Sequence, residues 1–248
     1  MTRSNANHLA VVLLLLVGVS GASAATHPPL TTSKGVVAAD NDLASKVGAQ
    51  VLEKGGNAVD AAIATAFALG VVSPSASGIG GGGFAVIYVA KEKRLYAVDF
   101  REVGPASASP ANYVRNGKVD PTLSRRGGLA VAVPGEVAGL EFLSKRDGKL
   151  PWKEVVMPAQ RLAYKGFRVG WFLGYVAKVV TASLGPKHPL SAWLAPKGTT
   201  LSEGRHVRRS ALAQTLRRIA DEGKRGFYKG PVAQDIVATV AAAGGDIT

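Results

Sequence analysis

Two short stretches of the sequence carry residue types that could bind a ligand. Gly78, Gly80 and Gly83 in "SGIGGGGF" spell G-x-G-x-x-G, the pattern of a dinucleotide-binding turn. "DFRE", residues 99–102, places an arginine between carboxylates after a β-rich run. An arginine at a strand end can bind a carboxylate through two parallel hydrogen bonds. The two stretches therefore raise two hypotheses, a phosphate site and a carboxylate site.

The setting of the glycines argues against a nucleotide site. A phosphate-binding turn follows a strand and opens a helix, whose N-terminus faces the pyrophosphate. Here the glycines follow a predicted helix and precede a predicted strand. We therefore interpret this stretch as a structural turn in which glycine permits close backbone approach. Its members are Gly78, Gly80, Gly81, Gly82 and Gly83.

Arg101 has two interpretations on sequence grounds. It could bind the carboxylate of a ligand, or it could form a structural salt bridge with Asp99 and Glu102. The residues alone favour the salt bridge.

Other catalytic patterns are missing from the sequence. There is no cysteine, which excludes disulfides, thiolate metal sites and a cysteine nucleophile. The four histidines are isolated and form no H-E-x-x-H pair, and neither G-x-S-x-G nor S-x-x-K occurs. We expect neither a metal nor a cofactor.

The elements around these stretches follow from hydrophobic periodicity and cap residues. Asn57 and one residue of the Asp40–Asp42 group are suited to cap two helices, and "FAVIYVA-KEKR-LYAVDFRE" indicates a β-hairpin that Arg101 and Glu102 close. We further predict a strand at residues 35–40, a loop at 185–204, and helices at "GEVAGLEFLSKRDG", "WKEVVMPAQRLAYKG", "RVGWFLGYVAKVVTASL", 210–222 and 231–243.

The formal net charge of +13 raises an anionic partner as a possibility. The densest basic stretch, Arg205–Arg225, carries an apolar stripe at Leu212, Leu216 and Ile219 and has no aromatic residue interleaved for base stacking. It is typical of a solvated helix face, so we expect no nucleic-acid partner.

The N-terminus predicts export. Arg3, the apolar run Leu9–Val19 and the small residues at 22–24 have the pattern of a signal peptide, residues 1–24. The run is too short for a stable membrane span. We expect a periplasmic or secreted protein with a mature N-terminal segment at 25–34 and one domain at 35–248. Its closing "GGDIT" indicates an unfinished element and hence an incomplete domain.

Taken together, the motifs resemble the γ-glutamyltransferase (γ-glutamyltranspeptidase, glutathione hydrolase) family. The matching stretches run in family order from about Gly35 to the last residue. They are "GGNAVDAAIATAFALGVVSPSASGIGGGGFAVIY", "DFRE", "AVPGEVAGLE", "LPW", "PAQRLAYKGF", "LAQTLRRIADEGKRGFYKGPVAQDIV" and "AAAGGDIT".

The resemblance implies a layered α/β fold, the αββα sandwich of N-terminal nucleophile hydrolases, of which this chain would be the large-subunit part. It implies a precursor that cleaves itself, and a small subunit whose N-terminal threonine attacks γ-glutamyl amides such as glutathione. That threonine would lie beyond Thr248. In this chain the resemblance assigns Arg101 to the α-carboxylate of the glutamyl group, with Glu102 orienting it.

Three functional readings stay open. The chain is part of a working enzyme, an inactive truncated product, or a basic secreted module that binds anionic surfaces. Within the family, a hydrolase, a transferase and an acylase are not separated by these residues.

Overall fold

The computed structural model describes residues 31–186 and 188–248. From Val36 onward they form one compact unit of mixed helices and short strands. The helices are α1 Asp42–Glu53, α2 Ala58–Val72, α3 Glu136–Asp147, α4 Trp152–Lys165, α5 Trp171–Leu184, α6 Pro189–Leu194, α7 Ser210–Glu222, α8 Arg225–Tyr228 and α9 Pro231–Ala242. The strands are β1 Phe84–Val89, β2 Arg94–Asp99, β3 Val114–Arg115, β4 Lys118–Val119, β5 Phe167–Arg168 and β6 His206–Val207.

Asparagine side chains begin the first two helices, as the sequence predicts. The Asn41 side chain accepts a hydrogen bond from the Leu43 backbone N–H at 2.9 Å. The Asn57 side chain accepts from Asp60 N–H at 3.0 Å, while the Asp60 carboxylate accepts from Asn57 N–H at 2.9 Å. This reciprocal pair is a capping box, which satisfies backbone donors that a helix N-terminus leaves free.

The Asp60 carboxylate also joins two parts of the chain. It is fully buried and accepts from the backbone N–H groups of Lys149 at 3.0 Å and Leu150 at 3.2 Å. These two residues connect α3 to α4. One carboxylate therefore caps α2 and also fixes the turn between α3 and α4, which follows it by about 90 residues.

Helix α2 lies at the centre of the core. It packs against α1 and α4, and α4 packs in turn against α7. The side chains of α2 are apolar on nearly every side of the helix, as expected of a helix enclosed by others. Its most deeply buried members include Ile63, Phe67 and Val71. On α7, Leu216 and Ile219 are buried and Leu212 is partly buried, so the predicted apolar stripe is confirmed, with Arg217 and Arg218 exposed.

The predicted hairpin is formed by β1 and β2, with Phe84 opposite Asp99 and Val89 opposite Arg94. Gly83 and Phe100 extend the pairing by one step, since Phe100 N–H donates to Gly83 O at 2.9 Å. One face of the hairpin packs on the core through Ala85, Ile87 and Val98. The opposite face is exposed and largely apolar, with Phe84, Val86, Tyr88 and Leu95.

Three local predictions differ from the structure. Residues 35–40 form no strand, because no described strand pairs with them and the Ala39 N–H donates to the Ser45 hydroxyl at 3.0 Å instead. The predicted loop at 185–204 contains helix α6, whose N-terminus is capped by the His188 side chain. The second hairpin strand ends at Asp99, so "RE" lies beyond the ladder.

The structure is a mixture of helix and strand, which agrees with the partial α/β fold inferred from the sequence. The strands of the described residues form three two-stranded antiparallel sheets. The signal-peptide prediction falls outside the described residues. Among the helices that the structure describes, none has the length and apolar character needed to cross a membrane.

Candidate functional site

The glycine turn is joined by hydrogen bonds to the start of α3. Gly81 N–H donates to Gly78 O at 3.0 Å, which closes the turn. The Gly81 carbonyl then accepts from Gly135 N–H at 2.9 Å and from Glu136 N–H at 3.0 Å. The Gly81 carbonyl thus occupies the N–H donors at the N-terminus of α3, which a phosphate bound there would need.

Gly82 of the turn and Gly70 of α2 lie too close to other backbone for a side chain. A Cβ atom on Gly82 would lie 3.0 Å from the Arg101 Cα, and one on Gly70 would lie 3.0 Å from the Gly78 Cα. Gly78 has a φ of +153°, which L-residues rarely adopt. Gly80 differs, since a Cβ there would meet no atom within 4 Å. The close contacts of Gly82 hold the turn against the backbone of Phe100 and Arg101.

A cavity of about 470 Å³ lies beside the turn. Its walls come from the segment 74–82, the end of α2 and the start of α7. Three charged residues, Glu102, Glu136 and Arg209, belong to the lining.

Arg101 lies beyond the end of β2, with its side chain exposed. Its backbone N–H donates to the Asp99 carboxylate at 2.9 Å. Within residues 31–186 and 188–248, no carboxylate lies within ion-pair distance of the Arg101 guanidinium. The salt bridge that the residues alone favoured is therefore not formed. Glu102 is partly buried and turns toward Gly81.

Glu136 is a buried carboxylate that sequence reasoning missed. Glu136 is the first residue of α3 and is 8% exposed. Burial, and secondarily the charge of Glu102, raise the pKa of Glu136 to about 7. Nearby, the Tyr228 hydroxyl donates to Pro134 O at 2.7 Å, and burial raises the pKa of this tyrosine as well.

Arg209 is the second charged residue that the sequence did not single out. Its guanidinium donates to the carbonyls of Gly70 and Val71 at the end of α2, and it lies 4.9 Å from the ring centroid of Trp193. A cation is favourable at a helix C-terminus. Burial lowers the pKa of Arg209 to about 10, which still leaves it charged at neutral pH.

The described residues that line the cavity include no histidine. Among the described residues, no three histidine or carboxylate side chains converge closely enough to hold a metal ion. His188 accepts from Leu190 N–H and His206 lies exposed in β6.

Replacing Glu136 by glutamine is expected to change how stability depends on pH. The folded-state pKa of about 7 lies above the ordinary value of 4.5, so the native state binds more protons between these values. Stability should therefore fall as the pH rises from about 4.5 to about 7, by on the order of 2–3 kcal/mol. Urea unfolding of dilute protein at pH 5 and pH 8 measures this difference.

In the Glu136→Gln variant that pH-dependent loss should be much smaller. The exposed Glu154 on α4 offers a matched control, and Glu154→Gln should leave the loss as it is. An identical pH dependence in wild type and Glu136→Gln would refute the assignment.

Comparison with known proteins gives consistent matches. Residues 44–248 match the family model described as gamma-glutamyltranspeptidase. "Glutathione hydrolase 2" of Arabidopsis thaliana is 39% identical over 239 residues, which cover 96% of this chain and 40% of that protein. The "Glutathione hydrolase proenzyme" of Pseudomonas aeruginosa is 40% identical over 237 residues, covering 95% and 41%.

Solved structures agree. The gamma-glutamyltranspeptidase of Helicobacter pylori superposes with a TM-score of 0.84 at 39% identity, covering 89% of this chain and 64% of that one. That of Pseudomonas nitroreducens, complexed with L-DON, gives 0.81 at 40% identity, covering 88% and 64%. The chain described here spans about 40% of the length of these two curated relatives.

Proposed function

The chain belongs to the γ-glutamyltranspeptidase family, and from this we propose that it forms the N-terminal, large-subunit part of a γ-glutamyltransferase or glutathione hydrolase. The observation that carries the proposal is the match of residues 44–248, with about 40% identity to proteins named glutathione hydrolase. The substrates proposed are γ-glutamyl amides such as glutathione.

The proposed chemistry is covalent acyl transfer. A threonine hydroxyl attacks the γ-carbonyl, and its proton passes to the free α-amine of that threonine. The α-ammonium then gives this proton to the leaving nitrogen as the C–N bond breaks, so the amine product leaves and the base is restored. Water, an amino acid or a peptide then takes the glutamyl group from the threonine. We place this threonine on a small subunit outside the present sequence. The shorter span of the chain and the word "proenzyme" in the names of relatives support this placement.

Arg101 is proposed to bind the α-carboxylate of the glutamyl group. Its guanidinium is exposed at the end of the hairpin, and within the described residues it is not engaged by a carboxylate. It is therefore available for a bidentate pair with a ligand. Glu102 is proposed to orient it, although the Glu102 side chain itself lies toward Gly81.

The exposed hairpin face supports a partner chain. Val86 is 72% exposed and Leu95 is 65% exposed, on strands whose outer edges have no strand partner among the described residues. Apolar faces and open edges of this kind need a cover, since they otherwise recruit other chains. We propose that the small subunit covers them.

From the signal-peptide pattern of residues 1–24 we also propose that the mature protein works outside the cytoplasm.

The isolated chain is accordingly expected to self-associate as its concentration or temperature rises. Val86→Thr combined with Tyr88→Thr should reduce this association, because both side chains lie on the exposed hairpin face. Light scattering during a thermal ramp measures the effect. A wild-type chain that stays monomeric and melts in one sharp cooperative transition would contradict the idea.

Two observations test the enzyme proposal. The reading frame should continue past Thr248 into a segment led by threonine. The purified chain alone should release no p-nitroaniline from γ-glutamyl-p-nitroanilide. A frame that stops at Thr248 would favour the inactive truncated product, and turnover by the purified chain would overturn the placement of the nucleophile.

A further inference from the structure

Helix α5 exposes an apolar face that the proposed catalytic role does not use. Trp171 is 66% exposed, Tyr175 is 55% exposed and Val179 is 49% exposed. These residues are spaced by four, so they lie on one side of the helix. Phe172 is also half exposed beside them. We call these four residues the aromatic face.

The aromatic face is separate from the side that anchors α5 to the protein. Leu173 and Ala177 are buried, and Val180 packs against the core from the same side. The helix is thus apolar both where it meets the core and where it meets solvent. A contiguous exposed apolar surface of this kind marks an interaction site.

The rings are already arranged side by side. Trp171 and Tyr175 stack with centroids 6.0 Å apart and planes inclined by 11°, and Phe172 lies 6.1 Å from Trp171. Tryptophan and tyrosine are the residues that prefer the interface between lipid headgroups and acyl chains, because each combines an apolar ring with a polar group.

The sequence segment that contains α5 carries charge of one sign. Residues 155–202 contain no aspartate or glutamate. They contain Arg161, Lys165, Arg168, Lys178, Lys187 and Lys197. Lys178 is exposed. It follows Tyr175 by three residues and Trp171 by seven, so it lies on the same side of the helix as these two rings. A basic stretch that flanks an aromatic helix is attracted by anionic lipid.

Two carboxylates come near the helix from other segments. Asp40 shares a cavity wall with Phe172 and accepts a hydrogen bond from Ser73. The Glu203 backbone lies beside Gly174, where a Cβ would be 3.1 Å from its nitrogen. Neither belongs to α5, whose one charged residue is Lys178.

We propose that α5 docks the protein on the surface of a membrane rich in anionic phospholipid, with the aromatic face inserted at headgroup level and the exposed Lys178 facing lipid phosphates. A second copy of the chain is a poorer occupant, since its α5 would bring the same uncompensated positive charge. A neutral membrane would offer no electrostatic attraction to the basic residues. This docking is independent of the proposed catalytic activity.

Vesicle co-sedimentation of the full chain tests the proposal. We expect binding to vesicles of phosphatidylcholine and phosphatidylglycerol, little binding to phosphatidylcholine alone, and weaker binding at high salt. Trp171→Ser combined with Tyr175→Ser should lower the partition coefficient by roughly tenfold or more, and Lys178→Glu by roughly fivefold. Circular dichroism checks that each variant keeps its helices.

Phe142→Ser is the matched control, because Phe142 is half exposed on α3, outside the aromatic face. It should bind vesicles like wild type. The apolar run at Leu9–Val19 is present in every variant, so equal binding by wild type and the aromatic double variant would assign docking to that run and overturn the proposal. Equal binding to neutral vesicles, or association into dimers that the double variant abolishes, would overturn it as well.

Discussion

Replacing Arg101 by lysine in the complete enzyme is expected to raise KM for γ-glutamyl donors by about tenfold, with a smaller change in kcat. Lysine keeps the positive charge but loses the planar fork that pairs with both carboxylate oxygens. Arg101→Ala should cost more, about 2–5 kcal/mol in kcat/KM, because the glutamyl carboxylate would then be desolvated without a partner. Steady-state kinetics with γ-glutamyl-p-nitroanilide measure both variants.

Arg115→Lys is the control for Arg101, since Arg115 is also exposed and is the last residue of the short strand β3. It should leave KM unchanged. A donor lacking the α-carboxylate should show little difference between wild type and Arg101→Ala. An unchanged KM for the normal donor in Arg101→Lys would remove Arg101 from the site.

Replacing Asp60 by alanine is expected to lower the free energy of unfolding by about 3–5 kcal/mol. The loss has two sources. The α2 capping box disappears, which costs about 1 kcal/mol. The backbone N–H groups of Asn57, Lys149 and Leu150 also lose their buried acceptor. Urea unfolding of dilute protein, followed by circular dichroism, gives the difference.

Asp42→Ala provides the comparison for Asp60. Asp42 also lies in the first turn of a helix, but it is exposed. Its replacement should change stability by about 0.5 kcal/mol or less. If Asp60→Ala cost no more than Asp42→Ala, Asp60 would not join α2 to the α3–α4 connection as described.

The sequence was sufficient for the elements whose signals are local. Asn41 and Asn57 begin helices where their side chains predicted it, and two β-rich runs joined by a charged turn form the hairpin. The pattern N-x-x-D at residues 57–60 is likewise a local signal, because its aspartate completes a capping box. Its second role needs the 149–150 turn, about 90 residues away, which no local pattern reveals.

Other features depend on contacts between distant segments. "GVVAAD" has strand-like composition, but a strand requires a partner, and the described residues supply none. Glu136 begins a helix as acidic residues commonly do, and only the fold places it in a buried position beside Glu102. Arg209 belongs to a basic stretch that predicts a solvated face, yet its guanidinium lies against the end of α2.

The glycine turn illustrates both cases. Its position between helix and strand was enough to set aside a nucleotide site. The reason for glycine at particular positions came from the fold, where Gly82 lies against the Arg101 backbone and Gly78 against Gly70. The arrangement of Arg101 therefore depends on atoms of a turn that precedes it by about 20 residues in the sequence.

The most direct measurement of the central claim is complementation. This chain would be co-expressed with the remaining part of a relative that is 40% identical, and the purified assembly assayed for release of p-nitroaniline from γ-glutamyl-p-nitroanilide. We expect turnover from the assembly, none from either part alone, and a strong loss with Arg101→Ala. A soluble assembly without turnover, or turnover that Arg101→Ala leaves intact, would contradict the account.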